Sequence, residues 1–471
     1  MKVEQIYTGC LSQGAYYIES EGEAVIIDPL REIDPYLKKI KKEGSKLKYI
    51  FETHFHADFV SGHVDLAKAT DATIVFGPTA STSYDIHVAK DEEIFEVGRL
   101  KIKVLHTPGH TMESASFLLI DEHGKDYAIF SGDTLFIGDV GRPDLAIKSD
   151  LTKEDLAEML FDSLRNKVMP LADDVIVYPA HGAGSACGKN MSSETWDTLG
   201  HQKETNYALR TDMSKDEFVK EVTEGILPPP QYFAKNAMIN KTGYESIETV
   251  MSKGDQGHDP DAFEAIANDQ SALVLDTREK DDFAKAHIPN SIFIGLNGSF
   301  ASWVGTLITD IHQPILLITE EGKQEEAVMR LARVGYDNTI GYLKGGMEAW
   351  QKAGKEVDQV AGVSVTELEE LVNNGAELNI VDVRKPSEFE AEHVDGAMSC
   401  PLDFINTNMD QVDPATTYHV HCKSGYRSMI FNSILKSRGY HKVVDVNGGI
   451  DAVLNTSIPT TVFVCPSTLV K

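Results

Sequence analysis

The sequence predicts an α/β protein of several domains, and two observations carry the prediction. In the first half, four short motifs of histidine and aspartate each close a β-rich run; in the second half, one α/β unit occurs twice. At 471 residues the chain exceeds what one hydrophobic core supports and suits roughly two to four domains.

The first motif is Thr53-His54-Phe55-His56-Ala57-Asp58-Phe59, set between an apolar run from Leu47 to Phe51 and a helical pattern from Ser61 to Thr70. Both histidines are therefore expected at a strand-to-helix corner facing a cleft. His106-Thr107-Pro108-Gly109-His110-Thr111, Phe130-Ser131-Gly132-Asp133-Thr134-Leu135-Phe136 and Tyr178-Pro179-Ala180-His181-Gly182 follow, each after a short β-rich run. Imidazoles and carboxylates from four strand ends make a donor set for a metal ion. His63, His87 and His123 lie outside these motifs and are expected to be ordinary core or surface residues.

These motifs resemble the metallo-β-lactamase superfamily over about the first half of the chain, which implies an αββα sandwich. Two branches of that superfamily compete. Glyoxalase II-like thioester hydrolases carry a full His-x-His-x-Asp-His loop and two metals, with a metal-bound hydroxide as nucleophile. This chain keeps Asp58, Asp133 and His181 of the second site, but Phe59 stands where the last loop histidine belongs, and a phenyl ring has no lone pair to donate. The persulfide dioxygenase branch is similar in its His-x-His-x-Asp loop, its Thr-Pro-Gly-His-Thr, its Ser-Gly-Asp and its following Gly141-Arg142. That resemblance implies one Fe(II) per chain held by His54, His110 and Asp133, a two-imidazole, one-carboxylate set suited to oxygen chemistry. His56, Asp58 and His181 then line the site. Zinc is the alternative cofactor, with thioester hydrolysis as the alternative activity. Arg142 or Lys189 is expected to orient acidic groups of the thiol carrier, with a loop salt bridge to Asp139 or Asp144 as the alternative for Arg142.

Forty-four basic residues against 73 acidic ones give a formal charge of −29, which repels polyanions and makes nucleic acid and anionic membranes poor partners. Hydrophobic residues at 42% and charged residues at 25% are ordinary globular values. No run of 18 apolar residues occurs, and Met1-Lys2-Val3-Glu4 leads straight into a strand-like segment, so a cytoplasmic location is expected. Five cysteines, Cys10, Cys187, Cys400, Cys422 and Cys465, are widely spaced without Cys-x-x-Cys, which points to individual thiol chemistry rather than a disulfide framework.

The repeat is read from three matched pairs. Leu273-Val274-Leu275-Asp276-Thr277-Arg278 recurs as Asn379-Ile380-Val381-Asp382-Val383-Arg384, and Ala286-His287-Ile288-Pro289 as Glu392-His393-Val394-Asp395. Leu343-Lys344-Gly345-Gly346 recurs as Val446-Asn447-Gly448-Gly449. Asp-x-Arg after a buried strand, a His-Ile turn and Gly-Gly before a terminal helix resemble the rhodanese domain, a parallel sheet flanked by helices, from about residue 258 to 458. In the second copy a strand from Thr417 to His421 ends in Cys422-Lys423-Ser424-Gly425-Tyr426-Arg427-Ser428, ahead of a helical pattern from Met429 to Arg438. Backbone N–H groups, the helix dipole, Lys423 and Arg427 all favour an anionic sulfur there. Four residues separate Cys422 from Arg427, which resembles sulfurtransferase loops; related phosphatases keep five. Cys422 and Arg427 are thus the expected catalytic pair, with Lys423 and Gly425 binding substrate. In the first copy Thr319 replaces the nucleophile and Gln324 the arginine, so that copy is expected to be an inactive spacer or docking domain.

Three prolines, Pro228 to Pro230, are expected to close the helical tail of the metal domain, Asn236 to Gly243 to lead towards the first repeat, Lys253 to Gly257 to form a loop, and Lys352 to Gly362 to link the repeats. The expected domains are 1–245, 246–357 and 358–471. Persulfide dioxygenases fused to an inactive and an active rhodanese, which this domain order resembles, also carry a cysteine in the loop matching Gly182 to Lys189. Cys187 is therefore expected to hold or relay sulfur. The resemblance as a whole implies oxidation of a small thiol persulfide by O2 to sulfite, and sulfur transfer at Cys422 to give thiosulfate. The sequence also allows a homo-oligomer.

Overall fold

A computed structural model describes residues 1–145, 151–189 and 191–465. They form two compact units, residues 1–249 with 332–335, and residues 250–331 with 336–471.

The first unit holds two six-stranded sheets. In one, Lys2–Thr8, Gln13–Ser20 and Glu23–Ile27 pair antiparallel, and Lys46–Glu52, Thr73–Phe76 and His87–Val88 continue parallel to the last of them. The other runs Asp197–Thr198, Ile176–Pro179, Asp126–Gly132, Ala115–Ile120, Leu100–His106 and Ile94–Val97 across the sheet. Strand alternation sets the layers. Val25 and Ile27 face the second sheet, where they join Phe51, Phe117 and Phe130, while Ala24 and Ile26 face outward with Ile50 against Tyr36 and Leu66 of the covering helices. On the far side Leu118, Ile129 and Val177 pack on Ala157, Leu160 and Phe218. Four layers result, helix, sheet, sheet, helix, as the αββα expectation requires.

The second unit contains two five-stranded parallel sheets of one topology. Gly257–His258, Thr339–Leu343, Ile315–Ile318, Leu273–Asp276 and Ile292–Phe293 lie side by side in the first; Ala361–Val363, Val443–Val446, Tyr418–His421, Asn379–Asp382 and Met398–Ser399 repeat that order in the second. The recurring motifs are structural devices. Arg384 grips Asp382 through both carboxylate oxygens and caps Glu392 O at 2.6 Å, and Arg278 likewise grips Asp276 and caps Ala286 O at 2.8 Å. His393 stacks on Phe389 at 3.7 Å between ring centroids, and His287 on Phe283 at 4.0 Å.

Three boundary expectations are corrected. Asn236 to Gly243 is not a segment leading onward: Phe233–Thr242 is a helix whose buried Asn240 donates to His56 O and Phe59 O, both at 2.8 Å, and accepts Ser61 N at 2.9 Å. Lys253 and Gly254 complete the helix Ile247–Gly254, and Gly257 opens a strand, so the expected loop shrinks to Asp255 and Gln256. The helix after Cys422 begins at Tyr426, because Gly425 takes φ 109° and so turns the chain directly into it. Among the described residues, no helix is long and apolar enough to cross a membrane.

Candidate functional site

The strands Leu100–His106, Asp126–Gly132 and Ile176–Pro179 run in one direction, so their C-terminal ends share one edge. His110, Asp133 and His181 follow those ends, while His54, His56 and Asp58 follow the strand Lys46–Glu52 of the other sheet. All six are buried. His110 Nε2 and His54 Nε2 stand 3.4 and 3.9 Å from Asp133 Oδ2, and His181 Nε2 stands 3.5 Å from Asp133 Oδ1 and 3.4 Å from Asp58 Oδ2. Ligands bound at about 2.1 Å to one ion lie roughly 3 to 4 Å apart. The spacing fits.

Close backbone approach builds this corner. A Cβ on Gly141 would fall 1.9 Å from Asp133 O and 3.0 Å from His110 Nδ1, and Gly132, at φ 55°, abuts Thr53. His110 Nδ1 donates to Arg142 O at 2.9 Å, and His54 Nδ1 to Thr53 Oγ1 at 3.0 Å, which leaves both Nε2 lone pairs facing Asp133. Thr53 Oγ1 in turn donates to Asp28 Oδ2 at 2.9 Å. Burial, with His56, His110 and His181 adding to it, holds the His54 pKa well below its ordinary value, which favours a neutral ring. Both Asp133 oxygens, both His181 nitrogens and Asp58 Oδ1 are buried without a hydrogen-bond partner. Unpaired polar groups of this kind are costly unless a cation takes them up. The residues present fit a bound metal.

The other predicted residues divide. His56 opposes burial with three carboxylates: desolvation lowers its pKa, but Asp28, 3.1 Å away, Glu52 and Asp58 outweigh it and raise it to about 9. Phe59 lies fully buried with its ring 4.3 Å from that of His56 and 6.5 Å from that of His181, an apolar wall where a ligand could stand. Cys187 does reach the site, its Sγ grouped with Asp133 and His181 ligand atoms within 4.8 Å. Burial and then the charges of Asp58 and Asp133 push its thiol pKa well up. Arg142 is engaged elsewhere: it clasps Asp144 at 2.7 Å twice, the loop salt bridge that was its alternative, and ties that loop to Ala186 O and Leu227 O. Lys189 Nζ reaches Glu221 O and Glu224 O at the end of the helix Lys215–Thr223. His63 is a core residue against Tyr84 and Glu52, and His123 is exposed. Asp28, Glu52 and Asn240 were missed. Asp28 ends an apolar strand before Pro29, a readable signal; Asn240 has none in its local sequence.

In the second unit Cys422 lies just past Tyr418–His421, and Gly425 N donates to its Sγ at 3.1 Å. Gly449, at φ 59°, explains the doubled glycine: a Cβ there would lie 2.4 Å from Lys423 O and 2.5 Å from Cys422 O, and Ile450 N donates to Cys422 O at 2.8 Å. Arg427 grips Glu388 at 2.6 and 2.9 Å, so its charge is already balanced, while Lys423 is exposed. Thr319 holds the equivalent place in the first repeat, beside Glu320 and Glu321.

Residues 8–181 match the Metallo-beta-lactamase superfamily, and residues 259–353 and 364–456 each match the Rhodanese-like domain. The chain is 30% identical to the persulfide dioxygenase ETHE1, mitochondrial, of Homo sapiens over 44% of this chain and 74% of that protein. It is 32% identical to a hydroxyacylglutathione hydrolase of Tolumonas auensis over 35% of this chain, spanning only 60% of that relative's length. Among solved structures, a metallo-beta-lactamase from Staphylococcus aureus subsp. aureus COL aligns with TM-score 0.64 and 32% identity, over 73% of this chain and 98% of that one.

Proposed function

The chain belongs to the metallo-beta-lactamase superfamily, in the type that carries persulfide dioxygenase homologues and two rhodanese-like domains, and from that premise we propose that it oxidises small thiol persulfides and transfers their sulfur. In the first step RSSH, O2 and H2O become RSH, sulfite and two protons. The observation that carries this reading is the ligand group His54, His110 and Asp133 beside Phe59, which removes a donor from the second site. Fe(II) bound there would supply the oxygen and persulfide activation that a two-imidazole, one-carboxylate set supports. The chain's own residues do the rest. Arg142 O and Thr53 Oγ1 orient the two imidazoles, Phe59 keeps the inner wall dry, and Cys187 offers a buried sulfur beside Asp133 and His181. In the second step Cys422 carries sulfane sulfur and sulfite removes it as thiosulfate. The domains that do this are 1–245, the inactive repeat 246–357 and the active repeat 358–471.

Protein prepared anaerobically under reducing conditions should hold about one iron per chain and consume O2 with low-molecular-weight persulfides. A second reading, a zinc-dependent thioester hydrolase, is favoured by Asp58, Asp133 and His181, whose unpaired atoms face one another. Two bound zincs with thioester turnover and no oxygen uptake would establish it and sink the first.

A further inference from the structure

The two repeats are packed together through the active loop. Tyr426, next to Gly425, donates its hydroxyl to Gly295 O at 2.7 Å, and its ring lies against Gly298, where a Cβ would come within 2.3 Å. Ser433 Oγ accepts Phe293 N at 3.0 Å. Between them lies a cavity of about 120 Å3 lined by Lys280, Asn297 and Phe293 from one repeat and by Ser424 and Tyr426 from the other.

Lys280 arches over the catalytic loop. A Cβ placed on Gly425 would sit 3.3, 3.5 and 3.6 Å from its Cε, Cδ and Nζ, and Gly425 is the residue whose N–H holds the Cys422 sulfur. Of the cations near the cysteine, Arg427 is neutralised by Glu388 and Lys423 is exposed on the loop itself. The negative groups on the Lys280 side are Glu279, which accepts Asn297 Nδ2, and Asp281, paired to Lys280 Nζ at 2.6 Å but with 73% of its side chain exposed. An exposed pair of neighbouring side chains exchanges readily for a better ligand. Asp445, buried beneath the loop, also feels the charge of Lys280.

We propose that Lys280, from the repeat that has no nucleophile, is a specificity residue of the Cys422 site and selects small sulfur oxyanions, sulfite as acceptor and thiosulfate as donor or product. The inference rests on reading Cys422 as a sulfur carrier. In the step it serves, the sulfite sulfur lone pair attacks the outer sulfur of Cys422–S–S⁻; the S–S bond breaks, the Cys422 thiolate leaves with its electron pair, and thiosulfate departs. Charge and atoms balance, and the ammonium of Lys280 offsets the dianion as it meets an anionic persulfide. The first repeat is then half of the binding site instead of a spacer.

The test uses the full chain and two alkylating agents of like size, anionic iodoacetate and neutral iodoacetamide, with modification of Cys422 followed by peptide mass analysis. Lys280→Ala should lower the iodoacetate-to-iodoacetamide rate ratio about fivefold and Lys280→Arg should restore it. In turnover, Lys280→Ala should raise the KM for sulfite with kcat nearly unchanged. An unchanged ratio, or an equal fall with both reagents, overturns the role of Lys280. Absence of sulfur transfer in the unsubstituted protein would instead overturn the function assigned to Cys422, and the alkylation ratio would still decide on Lys280.

Discussion

His56 Nε2 lies 3.1 Å from Asp28 Oδ1, and the other oxygen of that aspartate accepts Thr53 Oγ1 at 2.9 Å. One buried carboxylate therefore turns His56 toward the interior and, through Thr53, fixes the ring of His54. Thr53→Val keeps the volume and deletes the link to His54 Nδ1. Iron retention against a competing chelator should fall about 10- to 100-fold, the usual cost of losing a partner behind a ligand. Unchanged retention would show that packing alone orients His54.

His110→Ala and Asp133→Ala should each abolish iron binding and oxygen uptake while leaving sulfur transfer at Cys422 intact, since the two sites are built in different units. Iron content near wild type with normal oxygen consumption in either variant would refute the ligand assignment.

Asn240 ties the metal loop to the helix behind it with three buried hydrogen bonds. Asn240→Ala strands Ser61 N and two carbonyls, at about 1–3 kcal/mol for each group left unpaired. The melting transition of the first unit should drop by several degrees and that of the second should stay in place. A coincident shift of both would contradict this.

Cys422→Ser removes the only atom in its loop able to carry sulfane sulfur. Persulfide oxidation should then yield sulfite in place of thiosulfate. Thr319→Ala should change neither product. Thiosulfate formed at the normal rate by the serine variant would mean that sulfite captures persulfide without this loop.

Burial raises the Asp445 pKa from 3.8 to about 6, with Ser428 and Lys280 opposing it. A folded-state pKa above the unfolded one gives stability that is complete below pH 3.8 and is lost as pH rises through 6. The loss is about 2–3 kcal/mol. Asp445→Asn should flatten the stability profile of the second unit over that window, as read by urea unfolding at pH 4 and pH 7. A variant profile parallel to the wild type would assign the slope to other groups.

Local sequence determined the parts whose cause is local. The four ligand motifs, the doubled rhodanese unit, the Asp-x-Arg grips at Asp276 and Asp382, and the sulfur loop after His421 all depend on residues close in the chain, because strand ends, tight glycine turns and helix starts are short-range geometry. Tertiary structure decided the rest. The sequence offered Arg142 as a substrate ligand or as a loop salt bridge to Asp139 or Asp144, and only the fold delivered Ala186 O and Leu227 O to occupy its remaining donors. It gave Cys187 a place near the metal without saying that its sulfur meets Asp133 and His181. Asn240, more than 180 residues from His56, and Lys280, over 140 residues from Gly425, carry no local mark of their roles. Their partners are chosen by packing between elements distant in sequence, and a hydrogen bond or a charge across such a gap leaves no period or spacing for the sequence to display.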